Sequence, residues 1–450
     1  MKISIITVFP QIYDSFLKTS LIGRAIDKGI ISVNFVQLSD MVQVKERIDE
    51  PTCGPGAGMI IKPEVLEKAI ESAEEKHGKG FKIFFSPQGK KLDQKFLQKF
   101  ASKIEDDFAE SKKIGKAESF DHLILVCSRY EGIDERVEQY YADLSLSIGD
   151  YVVMGGDLPA QVFLESFLRF IPGVVGKAES VEKESFSSSF LDYPQFGLPV
   201  EFKGLKIPEV VLSGDHAQIE KWRNEQAAKK TIENRFDWFV SSNPSKQDIG
   251  LAKKFIPNHY VALMHTQILV KDNQVGNNSI TSLDIHDIAR SCATYGIKNY
   301  FMVTPLEDQQ KILKNFLGFW KSDEGKEYNQ SRFDAVKAVE YANNFEDVLQ
   351  KIKEKEGLEP LIISTSARID LVQKDGKPQL INYFAQNEVF KQKRPILIVF
   401  GTAKGLSEQI LKRSDYLLEP VVGMTDYNHL SVRSAAAIVL DRWLGLHAQH

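Results

Sequence analysis

The sequence predicts an α/β protein with two mainly parallel-sheet domains and a small helical domain between them. Three observations predict it. Residues 124–132, ILVCSRYEG, and residues 396–405, ILIVFGTAKG, are each an apolar, branched-residue strand that stops at a polar loop containing glycine. About twenty residues after each comes a second strand and loop, SIGDYVVMGGDLPA from Ser147 and YLLEPVVGMTDYNHLSVRSA from Tyr416. Upstream of each lies a third, KIFFSPQG from Lys82 and PLIISTSAR from Pro360. A recurrence of whole strand-loop units in the same order implies two homologous domains, each with a ligand pocket built from three loops at strand C-termini.

Met1 to about Ile171 alternates strand-like runs with helical patterns, as a parallel sheet covered on both faces requires. The opening MKISIITVFP is a first strand halted by Pro10, too short for a signal sequence or membrane span. A helix starts near Asp157, which can cap it; Pro159 suits its first turn and Pro172-Gly173 ends it. Val174 to about Gly204 is weakly patterned and rich in serine and proline, and Pro208 to Arg235 returns to a helical pattern capped by Ser213 or Asp215. The turn residues Ser241-Ser242-Asn243-Pro244-Ser245 open a linker. These boundaries divide the chain into 1–172, a sheet domain; 173–204, a loop; 205–240, a helical domain; 241–258, a linker; and 259–450, a second sheet domain whose final helix begins near Ser431.

With 450 residues, 43% hydrophobic and 26% charged, the chain can bury a core in each domain, and a formal charge of −4 gives no global attraction to nucleic acid. Its three cysteines, widely spaced, fit neither a disulfide framework nor a zinc site, so a reducing cytoplasm is expected. Gly54, Gly56 and Gly58 read as a turn, and Gly401-Thr402-Ala403-Lys404-Gly405 lacks the Gly-Lys-Ser/Thr ending of a phosphate loop, which excludes a P-loop NTPase. The histidines show no metal-ligand spacing and no GxSxG elbow is present. Lys90, Lys91, Lys95, Lys99, Lys103, Lys112 and Lys113 form either a phosphate-facing patch or a solvated face.

SPQGKKLDQ from Ser86, LVCSRYEGIDERV from Leu125, SIGDYVVMGGDLPA from Ser147, RFIPGVVG from Arg169 and VLSGDHAQIEKWR from Val211 together resemble the bacterial tRNA (guanine-N1)-methyltransferase family, over residues 1 to about 235. That family belongs to the SPOUT superfamily, and the resemblance implies a trefoil knot, a cytoplasmic homodimer, a tRNA substrate and no membrane. It also implies S-adenosylmethionine bound by Ser86, Pro87, Gln88 and Gly89, then Ser128, Tyr130, Glu131 and Gly132, then Ile148, Gly149, Tyr151, Val153, Gly155, Gly156 and Pro159. Glycines there admit close approach of the backbone to adenine and ribose. The expected reaction methylates N1 of the guanosine 3′ of the anticodon. It needs a base for the N1 proton and a cation for charge at O6.

By resemblance the cation is Arg169. The base falls at Glu184, where the family has aspartate. Three readings follow: the loop shifts to keep Glu184 in place, Asp192 takes over, or the domain is slow. Further departures lie at Ser128 and at residues 187–190 and 197–199. His216, Trp222 and Arg223 lie on the segment that resembles the family's tRNA-clamping domain, and Trp222 could equally be a core residue. Family members need Mg²⁺, for which Glu131 is a candidate partner, while the sequence itself shows no all-protein metal site. Residues 258–446, with VFGTAKGLSEQIL and NHLSVRSAAAIVL, resemble a second SPOUT family of RNA methyltransferases. There Gly401, Gly405, Gly423, Met424, Leu430 and Ser431 would line the cofactor loops, and Arg290, Arg332, Arg368 or Arg433 could face RNA or serve in structural salt bridges. The rival from another class is a tRNA-binding scaffold with degenerate methyltransferase sites.

Overall fold

The computed structural model describes residues 1–55, 58–103, 121–176, 184–368 and 378–447. Gly56, Lys112 and Lys113, named above, lie outside these. The chain forms two compact units, Met1–Ser187 and Ser188–His450.

The first unit holds a five-stranded parallel sheet. Its strands are β1 (Lys2–Thr7), β2 (Ser32–Gln37), β3 (Phe81–Lys91), β4 (His122–Val126) and β5 (Leu144–Ser147), in the order β2-β1-β4-β3-β5. β4 is buried at every position, as a central strand covered on both faces must be. Alternation divides its side chains and those of β1. Ile3, Ile5, Leu123 and Leu125 pack with Phe163 and Phe167, whereas Ile6, Ile124 and Val126 pack with Val65, Leu66, Ala69 and Ile70. The first set of partners belongs to helix α2 (Asp157–Phe167) and the second to α1 (Pro63–His77). Ser4, buried in the middle of β1, is satisfied by His122 Nε2 at 2.8 Å.

The main sheet of the second unit has seven strands: β6 (His259–Met264), β7 (Asn299–Val303), β8 (Val339–Ala342), β9 (Leu361–Thr365), β10 (Gln379–Ile381), β11 (Ile396–Gly401) and β12 (Tyr416–Leu418). Their order is β8-β7-β6-β11-β9-β12-β10, parallel throughout. With the edge strands β8 and β10 set aside, the remaining five run second-first-fourth-third-fifth in chain order. The first unit's sheet has this same order, so the repeat in the sequence is a repeat of topology.

Between the sheets in sequence lie α3 (His216–Asn234), α4 (Phe236–Ser241) and α5 (Lys246–Ala252). Asp215, rather than Ser213, caps α3, accepting from Ala217 N and Gln218 N at 3.0 and 3.1 Å. α5 falls in the stretch expected as a linker and is started by a capping box between Ser245 and Asp248. Ile232, Phe236 and Phe239 belong to the same apolar core as Ile288, Ile398 and Trp443 of the second sheet domain, and Asn387 ties the α3–α4 junction through Phe236 N and Asn234 O. The last helix, α6 (Val432–Leu444), begins where its sequence predicts, and Ser431 caps it. No described helix is long and apolar enough to cross a membrane.

Candidate active site

In the first unit the loops leaving β3, β4 and β5 meet around a cavity of about 240 Å³. Phe85 and Lys90 of β3 both face Leu146, so Ser86-Pro87-Gln88-Gly89 bulges out between them. Gly89 lies against the neighbouring strand; a Cβ there would be 2.6 Å from Leu146 N. The loop after β4 turns through a left-handed Tyr130 (φ 59°) into Gly132 (φ 113°). Gly155 and Gly156 then bring the third loop onto the second. A Cβ on Gly155 would lie 2.7 Å from Ser128 O, and one on Gly156 would lie 2.8 Å from Cys127 Cα.

Of the cofactor residues expected from sequence, Ser86, Pro87, Ser128, Tyr130, Glu131, Gly132, Ile148, Gly149, Tyr151, Val153, Gly155, Gly156 and Pro159 line this cavity. Gln88 and Gly89 do not. Phe85, Leu146, Ser147 and Val152 line it without having been singled out; Leu146 and Ser147 close β5, and Val152 lies in the loop beyond it. Among the described residues of the lining, Glu131 is the only charged one.

Asp157 departs from its expected role. Gly156 occupies the cap position of α2, and the buried Asp157 carboxylate turns inward instead. It accepts from Arg129 at 2.7 Å, from the Thr7 hydroxyl at 2.6 Å and from the Tyr13 hydroxyl at 3.2 Å. The Tyr13 hydroxyl also lies 3.3 Å from Cys127 Sγ. Burial, with Asp157 beside it, pushes the Cys127 thiol well above its usual range. The network ties β1, the loop after β4 and the start of α2 together directly behind the cavity wall.

Arg169 follows α2 in a short 3-10 turn, Leu168–Phe170, and its guanidinium is ion-paired with the Glu184 carboxylate. The expected cation and the expected base are therefore in contact, both in the first unit. Asp192 belongs to the second unit, where the neighbouring Leu191 N donates to Thr231 Oγ1 at 2.8 Å. On α3, His216 is exposed, Trp222 lies 6.0 Å from the Phe196 ring, and Arg223 stacks 4.7 Å over Tyr193. Among the described residues no group of three or more His, Cys, Asp or Glu side chains could hold a metal ion.

The second unit has a larger cavity, about 720 Å³, at the same end of its sheet. Gly401, Gly405, Leu430 and Ser431 line it; Gly423 and Met424 do not, and Met424 is fully exposed. Thr365, Ser366, Arg368, Lys404 and Glu419 join the lining. Arg433 instead faces Asp284 and Asp287 at 3.7 and 3.6 Å, and Arg332 lies over Trp320.

Comparison with known proteins matches residues 1–241 to the family described as tRNA (Guanine-1)-methyltransferase TrmD. The chain belongs to the tRNA (guanine-1)-methyltransferase family. Residues 258–445 match a second family, described as SAM-dependent RNA methyltransferase. Curated members of the first family include the tRNA (guanine-N(1)-)-methyltransferases of Oleidesulfovibrio alaskensis, 35% identical, and Nitratidesulfovibrio vulgaris, 34% identical, each matched over 99% of both chains. The Thermotoga petrophila protein of the same name is 39% identical over 55% of this chain and 94% of its own. The family's name thus attaches to proteins that match the first half alone as well as to proteins that match the whole.

Proposed function

We propose that the first unit transfers a methyl group from S-adenosylmethionine to N1 of the guanosine 3′ of the anticodon of tRNA. The observation that carries this reading is the Arg169–Glu184 pair. Guanine presents O6, an acceptor, next to N1–H, a donor; an adjacent guanidinium and carboxylate offer the complementary donor and acceptor. Adenine presents the reverse order and would be refused.

When bound, the cofactor supplies an electrophilic methyl on its sulfonium. The first cavity fits its adenosine because Gly155 and Gly156 leave no side chain between the loops and because Ile148 and Val153 give apolar contact. Glu184 accepts the proton of N1 as the N1–CH₃ bond forms and the S–CH₃ bond breaks. Arg169 holds the charge that reaches O6, and S-adenosylhomocysteine leaves. Glu131, a lone carboxylate in the lining, suits Mg²⁺, which is commonly held by one or two carboxylates together with water and substrate. His216, Trp222 and Arg223 would contact tRNA.

The reading includes the family's trefoil knot and a cytoplasmic homodimer. Support for the dimer is an apolar surface around the third loop and α2, where Val152 is 86% and Met154 91% exposed and Leu158 and Val162 share one helix face. Methyl transfer from labelled S-adenosylmethionine to an unmodified tRNA with guanosine 3′ of the anticodon, against one with adenosine there, tests the reading. Guanosine-dependent incorporation is expected; equal incorporation, or none with cofactor bound, overturns it.

A further inference from the structure

The two cavities share one loop geometry. Ser128-Arg129-Tyr130-Glu131-Gly132 and Gly401-Thr402-Ala403-Lys404-Gly405 leave equivalent strands. In both the third residue is left-handed, Tyr130 at φ 59° and Ala403 at 54°, and the fifth is a glycine, at 113° and 100°. This match sets Lys404 in the place of Glu131. The second cavity adds another cation from the loop after β9, Arg368. Both side chains are exposed and neither has an ion-pair partner among the described residues. Of the two acids in that lining, Asp284 already faces Arg433, which leaves Glu419 alone against the two cations.

Uncommitted cations of this kind mark where an anion is expected. We infer that Lys404 and Arg368 form an anion-recognition edge of the second cavity, for the phosphate of an RNA nucleotide or the carboxylate of the cofactor. The two sites of the chain thereby differ in the charge they accept at one matched position. The inference rests on the second unit binding S-adenosylmethionine and RNA, and the experiment separates the two claims.

Binding to the full chain is measured for S-adenosylhomocysteine, for methylthioadenosine, which lacks the carboxylate, and for tRNA over a range of salt. The proteins compared are the unsubstituted chain, Lys404→Gln, Arg368→Gln and the conservative Lys404→Arg. A carboxylate partner makes each Gln variant bind S-adenosylhomocysteine at one of its two sites about tenfold more weakly, with methylthioadenosine unchanged. A phosphate partner leaves both small ligands unchanged, weakens tRNA and lowers the slope of log K against log salt by about 0.7 to 0.9 for each charge removed. Lys404→Arg retains most of the affinity in either case. Unchanged binding of all three ligands in both Gln variants overturns the inference. If Gly156→Ala, which forces the third loop of the first cavity away from the Cys127 backbone, leaves no cofactor equivalent bound, the methyltransferase reading of the second unit fails instead.

Discussion

Arg169 and Glu184 are held against one another, so removal of either leaves the other without its charge partner. Arg169→Ala is expected to abolish N1 methylation while S-adenosylmethionine binding, measured by calorimetry, stays within about twofold, because the cofactor cavity lies on other loops. Glu184→Gln keeps the shape and removes the carboxylate proposed as the base; single-turnover rates should fall at least about a hundredfold, and a near-normal rate would move the role to Asp192. The Asp157 carboxylate has a structural task. Asp157→Ala strips Thr7 and Arg129 of their carboxylate acceptor and leaves Arg129 half-enclosed, at a cost of about 3 kcal/mol. The first thermal transition should drop by several degrees, and an unmoved transition would remove the network from the account of the fold.

At the scale of elements, the parallel strands were legible because strands buried on both faces are written as continuous apolar runs, HLILV in β4 and ILIVFG in β11 being examples. β8 and β10 were not, since VEYA and QLI are short and half polar, as edge strands are. The pocket loops were legible through their glycines. Direction is not legible: aspartate at the start of a helix usually serves as its cap, and nothing in the residue pattern says that Arg129, Thr7 and Tyr13 converge on Asp157. Likewise the matched places of Glu131 and Lys404 emerge only from the shared left-handed step. Close approach of loop and helix also sets a prediction. In Gly156→Ala the new methyl meets backbone at Cys127, which cannot yield as a flexible side chain would. Overpacking of this kind costs about 1–3 kcal/mol, and cofactor affinity of the first cavity should fall at least tenfold by equilibrium dialysis.

For the whole molecule, buried histidines in both units tie stability to pH. In the second, the buried His259 donates from Nδ1 to Pro257 O at 2.7 Å and accepts the Trp443 indole N–H on Nε2 at 3.0 Å, so both nitrogens are committed in the neutral ring. Burial lowers its pKa to about 4, and that of the fully enclosed His265 to about 4 as well. The unfolded chain, with histidine near 6.5, then binds more protons than the folded one between pH about 6.5 and 4, so stability is lost as pH falls through that window, on the order of 3 kcal/mol per histidine at its foot. Thermal scans at pH 7 and 4.5 should show the transition of the second unit falling, and less steeply in His259→Gln, whose amide can repeat both hydrogen bonds. The shared strand order has a further consequence for how such a chain is made. Two sheets built to one plan invite a strand of one to pair with the other. All five strands of the first sheet are complete at Ser147, and the first strand of the second begins over a hundred residues later. At ordinary rates of synthesis that interval is roughly ten seconds, long for folding a domain, so the ribosome presents the second set of strands to a sheet that has already closed its pairings.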